Sequence, residues 1–236
     1  MASTEIAMRW SDLDTLRHVN NVVYVDYALE VWPELRSGGL IPHEDPRRVE
    51  VDYRRPVLKS DNPIHIDTAI DGLTLTQGIF VTGAEHPAAI VTSRFDGDIE
   101  SARVESSVPT GRLMLRYSDL DDRRQINTAR LFELFQEARV LYMNTTMREA
   151  RIASIVIARS DVRVIKPIRW QTEPMETQTW VKTVGGSSFA IRAQLCKDGV
   201  VHAVAETVMV AFDAETQRSA KLTEDQRERL RALMLD

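Results

Sequence analysis

The sequence predicts an α+β protein built from two tandem copies of one domain, each a buried helix wrapped by an antiparallel sheet. Three observations carry this. A polar turn, DLDTLRHVNN at residues 12–21, returns in altered form as DLDDRRQINT at residues 119–128. A helix-length apolar run follows each turn. Four runs of alternating, β-branched residues follow each helix, as expected of half-buried strands.

The repeat fixes the domain organisation. At an offset of 107, Arg9-Trp10-Ser11-Asp12-Leu13-Asp14 aligns with Arg116-Tyr117-Ser118-Asp119-Leu120-Asp121, and eight of 22 positions match between residues 9–30 and 116–137. Further on the offset drifts to 111, pairing Val51–Val57 with Val162–Ile168, each block ending near a proline. An insertion of about four residues within 139–155 accounts for the drift. The boundaries read as domain 1 over 1–102, a Ser/Pro/Gly-rich linker over 103–111, and domain 2 over 112–236 with a C-terminal helix.

Each copy then reads in the same order. A short strand (Glu5–Trp10; Leu113–Tyr117) leads into the turn. A helix follows, Val22–Trp32 in the first copy and Thr128–Met143 in the second. Both are apolar on most faces, as a buried helix is. The strands come next, ending at Asp-Gly or Gly-Gly hairpin signals. Thr223 is a plausible N-cap for a last helix with Leu230, Leu233 and Met234 as its apolar stripe. A fused repeat makes edge-to-edge pairing of two such domains intramolecular, so a pseudo-dimer is expected.

Composition excludes several classes. A net charge of −5 with basic pairs scattered among acids argues against nucleic acid as a partner. One cysteine, Cys196, excludes an internal disulfide and any multi-cysteine metal site. It sits in a strand-like stretch and reads as a buried thiol. No basic leader and no apolar run long enough to span a membrane is seen, so a cytoplasmic location is expected.

An Asp-x-Asp before a helix is by itself ordinary turn chemistry, and an asparagine there an ordinary cap. Recurrence at the same place in both copies argues for more. The turn sets a carboxylate and an imidazole beside a helix start, whose free N–H groups favour a developing anion. A carboxylate acting as base or nucleophile, an imidazole donor and backbone donors are suitable parts for hydrolysing an acyl ester or thioester. No metal or cofactor motif is present.

The segment RWSDLDTLRHVNNVVYVDYALE resembles the signature of the hotdog-fold thioesterases, the 4-hydroxybenzoyl-CoA thioesterase and YbgC-like branch together with plant acyl-ACP thioesterases. The pattern there is Asp-x-Asp-x-x-Gly-His-Val-Asn-Asn-x-x-Tyr ahead of a central helix. FDAETQR, Phe212 to Arg218, resembles the end of the family's last strand.

The resemblance implies an acyl-CoA or acyl-ACP thioesterase without cofactor. By position it implies that Asp14 is the catalytic carboxylate, with His18 on the thioester carbonyl or water and Asp121 its counterpart in copy two. Asn20, Asn21, Gln125 and Asn127 are the substrate-side positions that it implies. It also implies a homo-oligomer of two or three chains. Copy one departs at Arg17, where the family has glycine. Copy two departs further, with Gln125 for His18 and Thr128 for Asn21, so one cleft is expected to carry more of the chemistry. A non-catalytic acyl-thioester- or lipid-binding protein and a hydratase or dehydratase are the alternatives on the same scaffold.

Overall fold

The computed structural model describes residues 3–97, 101–213, 215–216 and 218–235. The chain divides into two compact units, Met1–Ile99 and Glu100–Asp236. Unit 1 comprises β1 (Ser3–Ile6), α1 (Val23–Leu29), α2 (Trp32–Ser37), β2 (Arg48–Tyr53), β3 (Ile64–Asp71), β4 (Thr74–Val81) and β5 (Ala89–Arg94). Its antiparallel sheet runs β1-β3-β4-β5-β2. Unit 2 comprises β6 (Thr110–Leu113), α3 (Thr128–Asn144), β7 (Ile155–Val164), β8 (Met175–Val184), β9 (Ser188–Lys197), β10 (Val200–Asp213), β11 (Arg218–Ser219) and α4 (Glu224–Arg231). Its sheet runs β6-β8-β9-β10-β7, again antiparallel, with β11 folded back on β10. The strand path is therefore the same in both units. Unit 2 has longer strands and adds β11 and α4.

Alternation builds each core. In unit 1 the buried Ile64 and Ile66 of β3, Leu75 and Ile79 of β4 and Val91 of β5 share the sheet face that meets α1. One polar residue lies among them. Gln77 is fully buried; its Nε2 donates to the Ala28 carbonyl at 2.8 Å and its Oε1 accepts from Trp32 Nε1 at 3.2 Å. Both polar ends are satisfied, which is the condition for burying an amide. In unit 2 the core gathers Tyr142, Val181, Phe189, Ile191, Met209 and Leu230.

The helix expected over Val22–Trp32 is two helices. Pro33 lies in the first turn of α2. It has no N–H to give the Leu29 carbonyl and its ring crowds that carbonyl, so α1 stops and the chain restarts. Unit 2 has Val140 at the matching position, and α3 runs unbroken for 17 residues. The strands expected at Glu5–Trp10 and Leu113–Tyr117 also end early. Trp10–Asp12 and Tyr117–Asp119 wind into 3-10 turns because the Asp12 and Asp119 carboxylates accept the Arg9 and Arg116 N–H groups, each at 2.7 Å.

Two local signals read from sequence appear as expected. Asp198 and Gly199 both have positive φ, as a two-residue type I′ hairpin requires, and join β9 to β10. Thr223 caps α4, its hydroxyl accepting from Gln226 N–H at 3.2 Å while Gln226 Oε1 accepts from Thr223 N–H. Leu230 is fully buried, whereas Met234 remains partly exposed. Residues 101–108 lie along β8 and β9 of unit 2. Gln178 holds them through Glu105 and Val108, and Gln194 through the Arg103 carbonyl at 2.9 Å.

Cys196 is fully buried. Burial pushes its thiol from 9.0 up to about 11, with the Glu176 charge adding to the shift. The folded state therefore resists ionising this thiol. The stability this contributes is whole below pH 9 and is lost as the pH rises through 11. Urea denaturation at about pH 8 and about pH 10.5 is expected to show a drop in stability that is smaller in Cys196→Ala; equal drops in both proteins count against the assignment.

Candidate functional site

The two turns repeat one another bond for bond. Asp14 N–H donates to the His18 carbonyl at 2.8 Å, and Asp121 N–H to the Gln125 carbonyl at 2.7 Å. Arg17 N–H returns to the Asp14 carbonyl at 3.0 Å, and Arg124 N–H to that of Asp121 at 3.1 Å. Val19 N–H reaches the Val57 carbonyl, and Ile126 N–H the Ile168 carbonyl, both at 2.8 Å. The first partners in that last pair differ by 107 residues and the second by 111, so one hydrogen bond carries both sequence offsets.

The residue at the tip pays a conformational cost. Arg17 has φ 62° and Arg124 φ 59°, both left-handed. Arginine suits most turn geometries except those requiring positive φ, and this turn requires it. The glycine of the related pattern thus has a physical reason, since only glycine reaches this region without Cβ crowding.

The two aspartates of the first turn do different work. Asp12 is 8% exposed, and its Oδ2 accepts from Arg9 N–H at 2.7 Å and Tyr27 Oη at 2.8 Å. It is a structural carboxylate. Asp14 is half-buried, and its Oδ1 accepts from Leu16 N–H at 2.8 Å and His18 N–H at 3.0 Å. No hydrogen bond to its Oδ2 is present among the described residues. One oxygen is anchored and the other is left for a ligand or water.

Asp121 is anchored in the same way, Oδ1 accepting from Arg123 N–H at 2.9 Å and Gln125 N–H at 2.8 Å. Its Oδ2 is buried without a hydrogen bond, and the Arg123 guanidinium lies 3.4 Å from it. The distance supports a Coulombic pairing although the geometry makes no hydrogen bond. Leu16 stands at the Arg123 position in unit 1, exposed and uncharged. The two carboxylates thus face different electrostatics.

His18 is half-buried, tied to Asp14 through both backbone bonds, and its main chain bridges to Leu58. Gln125 takes the matching place, bridging to Arg169. Asn20 accepts from Val23 N–H at 3.0 Å on its carbonyl and from Val22 N–H at 3.4 Å on its Oδ1, so these two amides of the helix start are already engaged. Asn127 caps α3, its Oδ1 accepting from Ala129 N–H at 2.8 Å. The Asn21 carbonyl accepts from Tyr53 Oη at 2.9 Å.

Tyr24, Tyr27 and Tyr53 were not singled out from sequence, although the first belongs to the quoted Asn-Asn-x-x-Tyr pattern. Three of the chain's five tyrosines lying within 33 positions of that turn was the available signal.

Other candidates fall away from the turns. Trp10 and Tyr117, which match one another in the repeat, are 76% and 69% exposed. Trp10 meets Lys59 at 5.9 Å, and Tyr117 meets Trp170 edge-on at 6.0 Å. Two histidines outside the turns have partners of their own: His65 Nε2 is 2.8 Å from Asp67, and His202 Nδ1 3.3 Å from the Pro167 carbonyl. Glu30, Glu137, Arg54, Arg55 and Lys166 are exposed. A cavity of about 430 Å³ in unit 2 is lined by Trp180, Lys182, Arg192 and Gln194 together with the 101–105 strap. Lys182 and Arg192 both pair with Glu206, at 2.5 and 3.0 Å, and no turn residue lines the cavity.

Comparison with known proteins gives the following. Residues 1–92 match the family model of the acyl-ACP thioesterase C-terminal domain, and residues 115–230 that of the thioesterase-like superfamily. No curated protein matches the sequence. Among solved structures, a putative oleoyl thioesterase from Lactobacillus plantarum is similar at TM-score 0.68. It is 11% identical, over 89% of this chain and 96% of that one. An acyl-ACP thioesterase from Bacteroides thetaiotaomicron gives 0.62 at 9% identity, over 88% and 97% of the two chains. The 12:0-ACP thioesterase of Umbellularia californica gives 0.60 at 14%, over 87% and 95%. At these identities the structures speak for the hotdog fold alone.

Replacing Arg17 by glycine is expected to relieve the left-handed strain and stabilise the protein by about 1 kcal/mol, less the backbone entropy that glycine restores to the unfolded chain. Urea denaturation of Arg17→Gly and Arg124→Gly checks this, with unchanged midpoints as the contrary result.

Proposed function

We propose that this chain, an acyl-thioester hydrolase of the thioesterase superfamily by the match of both its units, uses Asp14 as its principal catalytic carboxylate. The observation that carries this is the divided carboxylate: Oδ1 is held by two backbone N–H groups and Oδ2 is left open. In one route Asp14 takes a proton from water as the oxygen adds to the thioester carbonyl carbon, the C–S bond breaks, and the proton passes to the departing sulfur. In the other Asp14 displaces the thiolate, which leaves as thiol with a proton, and water then cleaves the resulting acyl–Asp14 anhydride to the carboxylic acid and free Asp14. His18 donates to the carbonyl oxygen or holds the water. Substrates are acyl-CoA or acyl carrier protein thioesters.

The two units act in this reading as tandem hotdog domains, 1–102 and 112–236, joined through 103–111 into an intramolecular pseudo-dimer. The common strand path and the bond-for-bond repetition of the turns support it. Unit 2 is the weaker site. Arg123 sits against Asp121 where unit 1 has Leu16, and Gln125 hydrogen-bonds but does not titrate.

Thiol release from a panel of acyl-CoAs, acetyl through palmitoyl with benzoyl and phenylacetyl types, tests the assignment, followed by acyl carrier protein thioesters. Asp14→Asn keeps the Oδ1 acceptor and removes the charge. It is expected to lower kcat by about 10²–10⁴-fold, the range for losing a positioned base. Asp121→Asn is expected to retain more than half of the activity. His18→Gln, which installs the unit 2 residue, is expected to cost about tenfold or more. Equal losses from the two aspartate variants overturn the asymmetry. Full activity in Asp14→Asn overturns the mechanism, and tight binding without turnover favours a binding protein.

A further inference from the structure

We infer that Tyr24, Tyr27 and Tyr53 form a hydroxyl clamp that positions the Asp14 turn in unit 1, a device that unit 2 lacks. The inference rests on the reading of Asp14 as the catalytic carboxylate and adds the residues that aim it. Two of the hydroxyls meet different parts of the turn. Tyr27 Oη donates to Asp12 Oδ2 at 2.8 Å, where the turn begins. Tyr53 Oη donates to the Asn21 carbonyl at 2.9 Å, where the turn ends. The Val57 backbone N–H acts on the Tyr24 phenol, lowering its pKa against the effect of burial, and the Val57 carbonyl accepts from Val19 N–H at 2.8 Å and so closes the turn against the body of the unit. Start and end are each held by one phenol, and the third is packed between those two rings.

The rings make one block. Tyr24 meets Tyr27 edge-on at 6.5 Å and 74°, and Tyr53 edge-on at 5.6 Å and 78°. These are favourable aromatic geometries. Tyr24 and Tyr27 are buried on α1, so the block ties the turn to the core face of the helix. Burial pushes the Tyr24 phenol up to about 12, with the Asp14 charge acting in the same direction, and the Tyr27 phenol is raised further by burial and by Asp12. Both phenols therefore keep their protons at neutral pH.

Unit 2 provides an internal comparison. At the offsets its own hydrogen bonds establish, the three tyrosines become Leu131, Leu134 and Val164. None of these side chains can hydrogen-bond. The Arg116 N–H remains as donor to Asp119 Oδ2, and no counterpart of the Tyr27 bond is present among the described residues. The backbone of the turn is built twice, but its phenolic bracing only once, on the side where the carboxylate has no arginine against it. Positioning of this kind affects the chemical step, because small displacements of a reacting group cost large factors in rate.

Phenylalanine at each position keeps the ring and removes the hydroxyl. Single variants Tyr24→Phe, Tyr27→Phe and Tyr53→Phe and the triple variant are to be assayed for kcat and KM beside Asp14→Asn. Backbone hydrogen exchange is to be measured over residues 14–20 and 121–127. Each single variant is expected to lower kcat about three- to tenfold and the triple about 100-fold, with KM within about twofold. Exchange over 14–20 is expected to quicken about tenfold while 121–127 is unchanged. Wild-type kcat together with wild-type exchange overturns the clamp. So does exchange that quickens evenly across unit 1, which marks the hydroxyls as general packing groups. Should the triple variant not fold, the single variants decide. Should Asp14→Asn stay active, the catalytic reading of Asp14 fails, and the exchange data alone decide whether the tyrosines brace the turn.

Discussion

A carboxylate that accepts two backbone N–H groups on one oxygen is fixed in rotation. Asp14 takes Leu16 and His18 N–H groups on Oδ1. That pair of bonds closes residues 14–18 into a loop with left-handed Arg17 at its tip, and leaves Oδ2 with no hydrogen bond among the described residues. Everything proposed for the site depends on this bidentate anchoring. The loop would open without it, and His18, held to Asp14 through its own amide and carbonyl, would move with it. The cost of the left-handed arginine is small beside the hydrogen bonds gained, so the turn tolerates a residue that local preference disfavours.

Asp12 shows how one dipeptide spacing separates structure from chemistry. Two residues before Asp14, it points inward, is buried, and spends its Oδ2 on Arg9 and Tyr27. Residues two apart in an extended segment share a side, so it is the 3-10 turn ending at Asp12 that lets the two carboxylates differ, one bound to Tyr27 and the other turned onto its own loop. Duplication then allowed divergence within a fixed backbone. Unit 2 preserves the anchoring bonds to within about 0.2 Å while exchanging histidine for glutamine, leucine for arginine and three tyrosines for aliphatic residues. The form of the turn is set by main-chain bonds and by the anchoring aspartate, which both units keep; the exchanged side chains change how firmly it is braced and what it faces.

Much of this was legible beforehand where the signal was local. The Asp198-Gly199 hairpin, the Thr223 cap and the strands after each helix follow from short-range rules of turn chemistry and alternation. The α1–α2 break was missed because the apolar run carries on to Trp32, whereas Pro33, just beyond it, already ends α1 at Leu29. The positive φ of Arg17 was missed because arginine gives no sign of it. The pairing of Arg123 with Asp121 Oδ2 was not visible either, since adjacent residues in a turn can point anywhere until the turn is built.

The sequence by itself determined the order of elements, the existence and register of the repeat, and the position of the acidic turn ahead of each helix. These are properties of neighbouring residues and of spacing, and they survive in one dimension. Only the tertiary structure decided which aspartate is spent and which is open, because that depends on Tyr27 reaching Asp12 from fifteen residues away. It alone brought Tyr53 and Val57, more than thirty residues distant, onto the turn. Contacts of that range are set by how α1 packs on its sheet, and no local pattern encodes them.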